Sequence, residues 1–236
     1  MNDADTLAVF RERFAAAIAG PRPMIETARL VLRPYRPDDA ADLQRLAGDR
    51  RIAATTATIP HPYPEGAAEA FIGAHETRWR EGTHLTYAIT ERGVDTLVGA
   101  VGLVFAAEHA RAELGYWIAV PAWGRGYATE ASDALCDYGF ATPGLHRIEA
   151  RHMAGNPASG AVMRKLGMQQ EGVLRGYKMK WDTLHDLVVC GILADEWARR
   201  RTASRRTVRV VPTPSLDPVD TAGFSSGLPR VPWTPG

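Results

Sequence analysis

The chain has 236 residues, with 28 Lys and Arg against 27 Asp and Glu and a net charge of +1, so bulk charge gives no reason to expect nucleic acid or an acidic surface as partner. Its apolar share of 45% is ordinary for a soluble globular protein, and its length suits one large domain or a domain with appendages. No apolar run reaches the length of a membrane span, and Arg11, Glu12 and Arg13 interrupt the first apolar stretch, which argues against a signal peptide and leaves the cytoplasm as the expected location.

Residues 5–19 read as an amphipathic helix, with Leu7, Phe10, Phe14 and Ile18 at helical spacing. Asp5 or Thr6 caps it, and Gly20-Pro21 ends it. It should pack on the domain or on a second subunit. Residues 30–33 read as a strand, and Pro37-Asp38-Asp39 opens a helix carrying Leu43 and Leu46. Residues 55–66, rich in Thr and Pro, read as a loop. Residues 67–80 read as a helix turning Phe71, Ala74 and Trp79 inward. Three strands follow at 85–90, 96–105 and 111–119, joined by short polar turns as an antiparallel meander. Helix 127–141, strand 146–153, helix 157–166 and strands 168–174 and 186–194 complete an α/β (α+β) pattern, a mixed sheet with helices on both faces. The aromatic residues Trp79, Tyr87, Tyr116, Trp117, Tyr177 and Trp181 are expected mainly in the core, with one or two lining a binding groove.

The composition changes at Ala198. Arg199, Arg200, Arg201, Arg205 and Arg206 precede a run rich in Pro, Ser, Thr and Gly, whose default state is disorder. The arginines are expected to be a solvated helix end rather than an RNA contact. The chain thus divides into a helical extension (1–22), a domain (23–200) and a tail (201–236). Cys136 and Cys190 sit in apolar periodic segments and fit buried free thiols. His61, His75, His84, His109, His146, His152 and His185 show no metal-ligand spacing, so no metal is expected.

One segment carries chemistry. Trp117, Ile118 and Val120 run into Gly124-Arg-Gly-Tyr-Ala-Thr129, and a helix follows. Gly124, Gly126 and Ala128 keep side chains out of the turn. The N–H groups at a helix start are unsatisfied and lie at the positive end of its dipole, so residues 124–129 suit a phosphate or pyrophosphate. Thr129 replaces the third glycine of a dinucleotide fingerprint, and no Gly-Lys-Ser/Thr follows, so both common phosphate-loop patterns fail.

Four pieces stand in one order: Glu113-Leu-Gly-Tyr-Trp-Ile118, Trp123-Gly-Arg-Gly-Tyr-Ala-Thr-Glu-Ala131, Leu145-His-Arg-Ile-Glu-Ala-Arg151, and Asn156-x-x-Ser159 to Lys165-Leu-Gly-Met168. From about Thr27 to about Trp197, the chain resembles the GNAT superfamily of N-acetyltransferases. Within it, the chain looks most like the ribosomal-protein-alanine N-acetyltransferase branch (the RimJ/RimL type). The resemblance implies a GNAT fold, a mostly antiparallel sheet of six to seven strands whose fourth strand carries a bulge and splays from the fifth. It implies acetyl-CoA as donor and a primary amine as acceptor, either a protein N-terminal α-amine or a small amine. The pantetheine arm would lie in the splay near 117–120, held by the backbone of Ile118 and Val120. Gly124, Arg125, Gly126, Tyr127, Ala128 and Thr129 would hold the pyrophosphate, with Asn156, Ser159 and Lys165 also on the cofactor. Trp123 stands where the family carries Gln or Arg, which loses one polar contact.

Direct transfer needs a base for the amine, donors for the oxyanion and a proton for the leaving thiolate. Many relatives carry a Tyr seven residues after the Asn, where this chain has Met163. The ribosomal-protein branch points instead to Ser159 as the donor; the other role for Ser159 is to satisfy N–H groups at a helix start. For the base the candidates are Glu113, Glu149 and His152, with Glu113 first. That branch carries a Glu about nineteen residues after the Ser, where Lys178 stands here. Two other functions fit the same residues: a small-amine or antibiotic acetyltransferase, for which Glu65, Glu69, Glu76 and Glu81 would wall an acidic groove, and a non-catalytic acyl-CoA sensor. The oligomeric state stays open, a homodimer included.

Overall fold

Alternation along the strands builds two cores. A computed structural model describes residues 3–203 and 209–212. Among them nine strands form one sheet: β1 (Met24–Glu26), β2 (Leu30–Arg33), β3 (His84–Glu91), β4 (Leu97–Ala106), β5 (Arg111–Ile118), β6 (Arg147–Met153), β7 (Gln169–Lys180), β8 (Thr183–Leu193) and β9 (Arg209–Val211). Their order is β7-β8-β6-β5-β4-β3-β2-β1-β9. The one parallel pairing is β5 with β6. Leu114 and Ile118 of β5 face one side, with Leu103, Ile148 and Val188, while Trp117 faces the other, with Ala88 and Ala100.

Helices close each face. On the first, α5 (Tyr127–Ala141) buries Tyr127, Ala131, Ala134, Leu135 and Tyr138, a helical stripe. At Gly139 an added Cβ would sit 3.1–3.2 Å from side-chain carbons of Leu103, Ile148 and Leu145, so the glycine lets the helix pack tightly on the sheet. Also on this side are α6 (Pro157–Lys165), through Met163, α7 (Ala194–Ala203), through Trp197, and α1 (Asp3–Ala19), through Phe10 and Phe14. The N-terminal helix therefore packs on the domain itself, with Phe14 edge-on to Phe105 at 5.0 Å. On the second face lie α2 (Ala40–Ala47), α3 (Arg50–Thr55) and α4 (Ala67–Arg80), through Leu43, Ile52 and Phe71.

The differences from expectation have local causes. The sheet has nine strands rather than six or seven. β1 and β9 have three residues each, too short to show a period. β9 belongs to the tail; residues 204–208 and 213–236 lie outside the described residues. The β7–β8 hairpin runs on through Lys180 and Thr183. Its outer half buries no apolar side chain fully and so has no apolar alternation to read. Its turn residues Trp181 and Asp182 both take left-handed φ, +49° and +59°, the I′ pattern usually marked by Asn-Gly. Arg200 and Arg201 are not a solvated helix end, because both pair with buried Asp133, at 2.8 and 2.9 Å. Of the six aromatic residues expected mainly in the core, Tyr177 and Trp181 are exposed on this hairpin. No described helix is long and apolar enough to cross a membrane.

His75 on α4 is 3% exposed, edge-on to Phe71 and tilted against Tyr35. Burial, with Arg22 next, holds its pKa well below the ordinary value. The unfolded chain therefore takes up a proton below about pH 6.5 that the folded chain refuses, and stability falls there by up to about 1.4 kcal/mol per pH unit. His75→Leu should flatten that part of the profile. Urea midpoints at pH 7.5 and 5 check it, and equal slopes in both proteins would show that His75 does not contribute.

Candidate active site

β5 and β6 pair over only four positions, from Arg111↔Arg147 to Leu114↔Ala150. Beyond them β5 stays on β4 as far as Gly99↔Ile118, and β6 stays on β8 as far as Met153↔Leu187. The two strands thus part at Gly115, two residues earlier than expected. The β4–β5 ladder shows no register shift, so the expected bulge is not what separates the strands. Gly99 accounts for the hold of β4, since a Cβ there would lie 2.2 Å from the Trp117 carbonyl. The Ala119 N–H bonds Val98 O. By alternation, the odd residues of β5 bond β4, and the backbone of Tyr116 and Ile118 turns toward the opening.

The opening is a cleft of about 460 Å³. Among the residues expected to hold a cofactor, Ile118, Gly124, Gly126, Tyr127, Ala128, Thr129, Asn156, Ser159 and Lys165 line it. Val120 does not; it opens a tight turn, Val120–Ala122, and its carbonyl accepts the Trp123 N–H at 3.1 Å. Trp123 closes this turn further, its indole donating to Ile118 O at 2.6 Å.

Gly124 and Gly126 have φ of +76° and +78°, where residues with a Cβ are strained. Gly126 is the N-cap of α5 and no side chain caps the helix. The first helical bond is Glu130 N–H to Gly126 O, so the N–H groups of Tyr127, Ala128 and Thr129 have no acceptor within the helix. Arg125 points away from the cleft, to Glu91 at 3.1 Å. Arg29, which the sequence did not single out, reaches the turn instead. It pairs with Glu130, donates to Arg125 O at 2.9 Å and stacks over Tyr127.

These features coincide with a family match. The model of the GNAT acetyltransferase domain matches residues 29–169. The chain belongs to the GNAT family. It is 31% identical to the uncharacterized N-acetyltransferase YoaA of Bacillus subtilis, over 72% of this chain and 97% of that one. It is 27% identical to the [ribosomal protein uS5]-alanine N-acetyltransferase of Escherichia coli, over 77% and 96%. Mycobacterium smegmatis RimJ, solved in complex with CoA-disulfide, superposes with a TM-score of 0.67 at 26% identity, over 78% of this chain and 93% of that one.

In this GNAT domain α6 starts beside the cleft. Asn156 Oδ1 accepts the Ser159 N–H at 3.2 Å, and its Nδ2 donates to Thr55 O at 2.9 Å. It therefore caps the helix and braces the neighbouring loop at once. Ser159 Oγ lies 2.8 Å from the Tyr116 hydroxyl, which also reaches Ser159 O at 3.1 Å. Burial pushes the Tyr116 phenol up, so it stays protonated. Met163 lies in the core; the phenol beside Ser159 comes from β5, while the Tyr127 hydroxyl is held by Glu91. Tyr116 and Trp117, of the six aromatic residues expected in the core or, for one or two, in the acceptor groove, line the cleft; the Ser159 partner, 43 positions away, had no sequence signal.

The candidate bases separate by environment. Glu149 is paired with Arg111, Arg147 and Arg151 at 2.8–3.3 Å. Burial opposes ionisation, but the arginines outweigh it and lower its pKa. Such a carboxylate is a poor proton acceptor. Glu113, opposite Glu149 in the ladder, has Arg151 at 3.7 Å. Burial pushes it up to about 7, against Arg151 and with Glu149. Glu113 does not itself line the cleft, although Leu114 and Arg151 do. His152 lines it, with Nδ1 on Met153 O at 2.8 Å.

Proposed function

We propose that this GNAT protein transfers the acetyl group of acetyl-CoA to the α-amine of a protein N-terminus. The parting of β5 from β6 carries the reading. It leaves the backbone of Tyr116 and the N–H of Ile118, whose carbonyl already holds the Trp123 indole, able to pair with an extended amide arm as a further strand does. Next to it lie three unbonded helix N–H groups under glycines that keep the turn clear, a fit for a pyrophosphate. Lys165 adds positive charge. Acetyl-CoA supplies the activated acyl group. Ser159, hydrogen-bonded to Tyr116, protonates the leaving thiolate, and Glu113 takes the amine proton through water.

The lining also bears on the acceptor. Beside the neutral phenols of Tyr116 and Tyr127, the lining carries Arg151, His152 and Lys165, and no carboxylate belongs to it. Glu65, Glu69, Glu76 and Glu81 stand off the cleft, and Glu76 is engaged by Arg22 and Arg80. A polycation would find no counter-charge here, whereas a single α-amine followed by a neutral chain needs none. Thiol release from acetyl-CoA should therefore appear with short peptides and not with polyamines or aminoglycosides. Release with the small amines alone would replace this reading by detoxification, and CoA binding with no release by a sensor.

Glu113→Gln should abolish the acidic limb of the pH–rate profile. With a pKa near 7 the base form is lost as pH falls through neutrality, so wild-type turnover declines there. A variant profile with the same limb and amplitude would move the base to His152.

A further inference from the structure

Of the 28 Lys and Arg residues, three are lysines, Lys165, Lys178 and Lys180. They fall within sixteen consecutive residues beside the cleft. Lys165 lines the cleft. Lys180, half-buried at the end of β7, has its ammonium on the carbonyl oxygens of Thr56 and Ile59, the latter at 3.1 Å. Both those residues, with Ala57 and Thr58 between them, line the cleft. Trp181 beside it lies under the Arg50 guanidinium at 5.0 Å, so the hairpin tip is clamped onto α3 and this loop. The loop is thus held from two sides, by Lys180 and by Asn156 through Thr55. An arginine fork makes such a brace equally well but is no nucleophile, because it stays protonated. A lysine amine becomes nucleophilic once neutral. Burial, with Lys178 next, lowers Lys180 to about 8, which enlarges its neutral share near physiological pH.

We infer that the cleft acetylates Lys180 of its own chain and that this frees the loop at residues 56–59. The inference rests on the reading that acetyl-CoA occupies the cleft. The ammonium gives one proton to water, leaves its two carbonyls and swings its flexible stem into the cleft. Nζ forms a bond to the acetyl carbon as the C–S bond breaks; a second proton leaves nitrogen, and the thiolate is protonated. The products are acetyl-lysine and the CoA thiol. Acetyl-lysine has no charge and one N–H, so it serves at most one of the two carbonyls. One wall of the cleft then loosens, linking acceptor access to the supply of acetyl donor.

The test incubates the full chain with acetyl-CoA and no acceptor, and maps acetylation at the three lysines and the N-terminal amine by mass spectrometry. CoA affinity and peptide acetylation are measured on the same preparation. Lys180 is expected to react at least about tenfold faster than Lys178, at a first-order rate independent of protein concentration and suppressed by excess CoA. Amide hydrogen exchange at residues 57–59 should rise severalfold in the acetylated protein and in Lys180→Gln, and stay unchanged in Lys180→Arg. Equal reaction at Lys178 and Lys180, or none at Lys180 while CoA binds and peptides are acetylated, overturns the inference and leaves the proposed function standing. Failure to bind CoA overturns both.

Discussion

Gly126→Glu is expected to weaken CoA binding about a hundredfold while the protein still folds. The helix N-terminus attracts a phosphate by about 1 kcal/mol, and a carboxylate on its cap substitutes repulsion of similar or larger size. A swing of roughly 2.7 kcal/mol is two decades in affinity. The fold accommodates the side chain, since a Cβ at Gly126 meets only Arg29 Nη2, at 3.6 Å. Gly126→Ala separates charge from backbone strain. Its left-handed φ of +78° costs a residue with a Cβ about 1–2 kcal/mol of stability, but free and bound protein carry that strain alike. Alanine should therefore lower the melting temperature and leave affinity within a few-fold. Calorimetric titration with CoA reads the affinity. Equal affinity in wild type and Gly126→Glu would remove the turn from the cofactor site.

Ser159→Ala and Tyr116→Phe should each lower kcat about a hundredfold, the lower range for loss of a positioned proton donor. The double variant should be little worse than either, because the two hydroxyls form one hydrogen-bonded unit at 2.8 Å. Stability should change little in Ser159→Ala. The Asn156 cap uses the backbone N–H of Ser159, and the Tyr116 hydroxyl keeps the Ser159 carbonyl as acceptor. CoA affinity is expected to hold within a few-fold in both single variants. Steady-state rates at saturating peptide decide it. If kcat is unchanged in Ser159→Ala, the serine belongs only to the first turn of α6. If effects multiply in the double variant, the two hydroxyls act separately.

Much of this site could be read in advance because its parts are local. Gly124 and Gly126 ahead of an apolar helical stripe mark a turn and a helix start within ten residues. Asn156-Pro157 marks a cap in two. Helix α5 was read with its bounds because Tyr127, Ala131, Ala134, Leu135 and Tyr138 repeat at helical spacing and are all buried. The polar outer half of the β7–β8 hairpin has neither a period nor a favoured turn pair, and it escaped. Arg125 was the expected cation at the turn because it is adjacent in sequence. Its guanidinium goes to Glu91, and Arg29 arrives from β2's edge to neutralise Glu130, 101 positions away.

By itself the sequence determined the order of the main helices and central strands, the glycine turn ahead of an uncapped helix start at residues 124–129 and the capping of α6. Each follows from backbone preference or side-chain spacing within one element, where a few residues set the free energy. The tertiary structure decided where β5 leaves β6, that Tyr116 meets Ser159 across 43 positions, and that Glu149 is saturated by arginines while Glu113 is left half-buried near neutrality. It also decided that Lys180 braces a loop more than 120 positions away. These depend on the register between strands and on burial by distant segments. Both are set by the packing of the whole sheet rather than by the neighbours of any one residue.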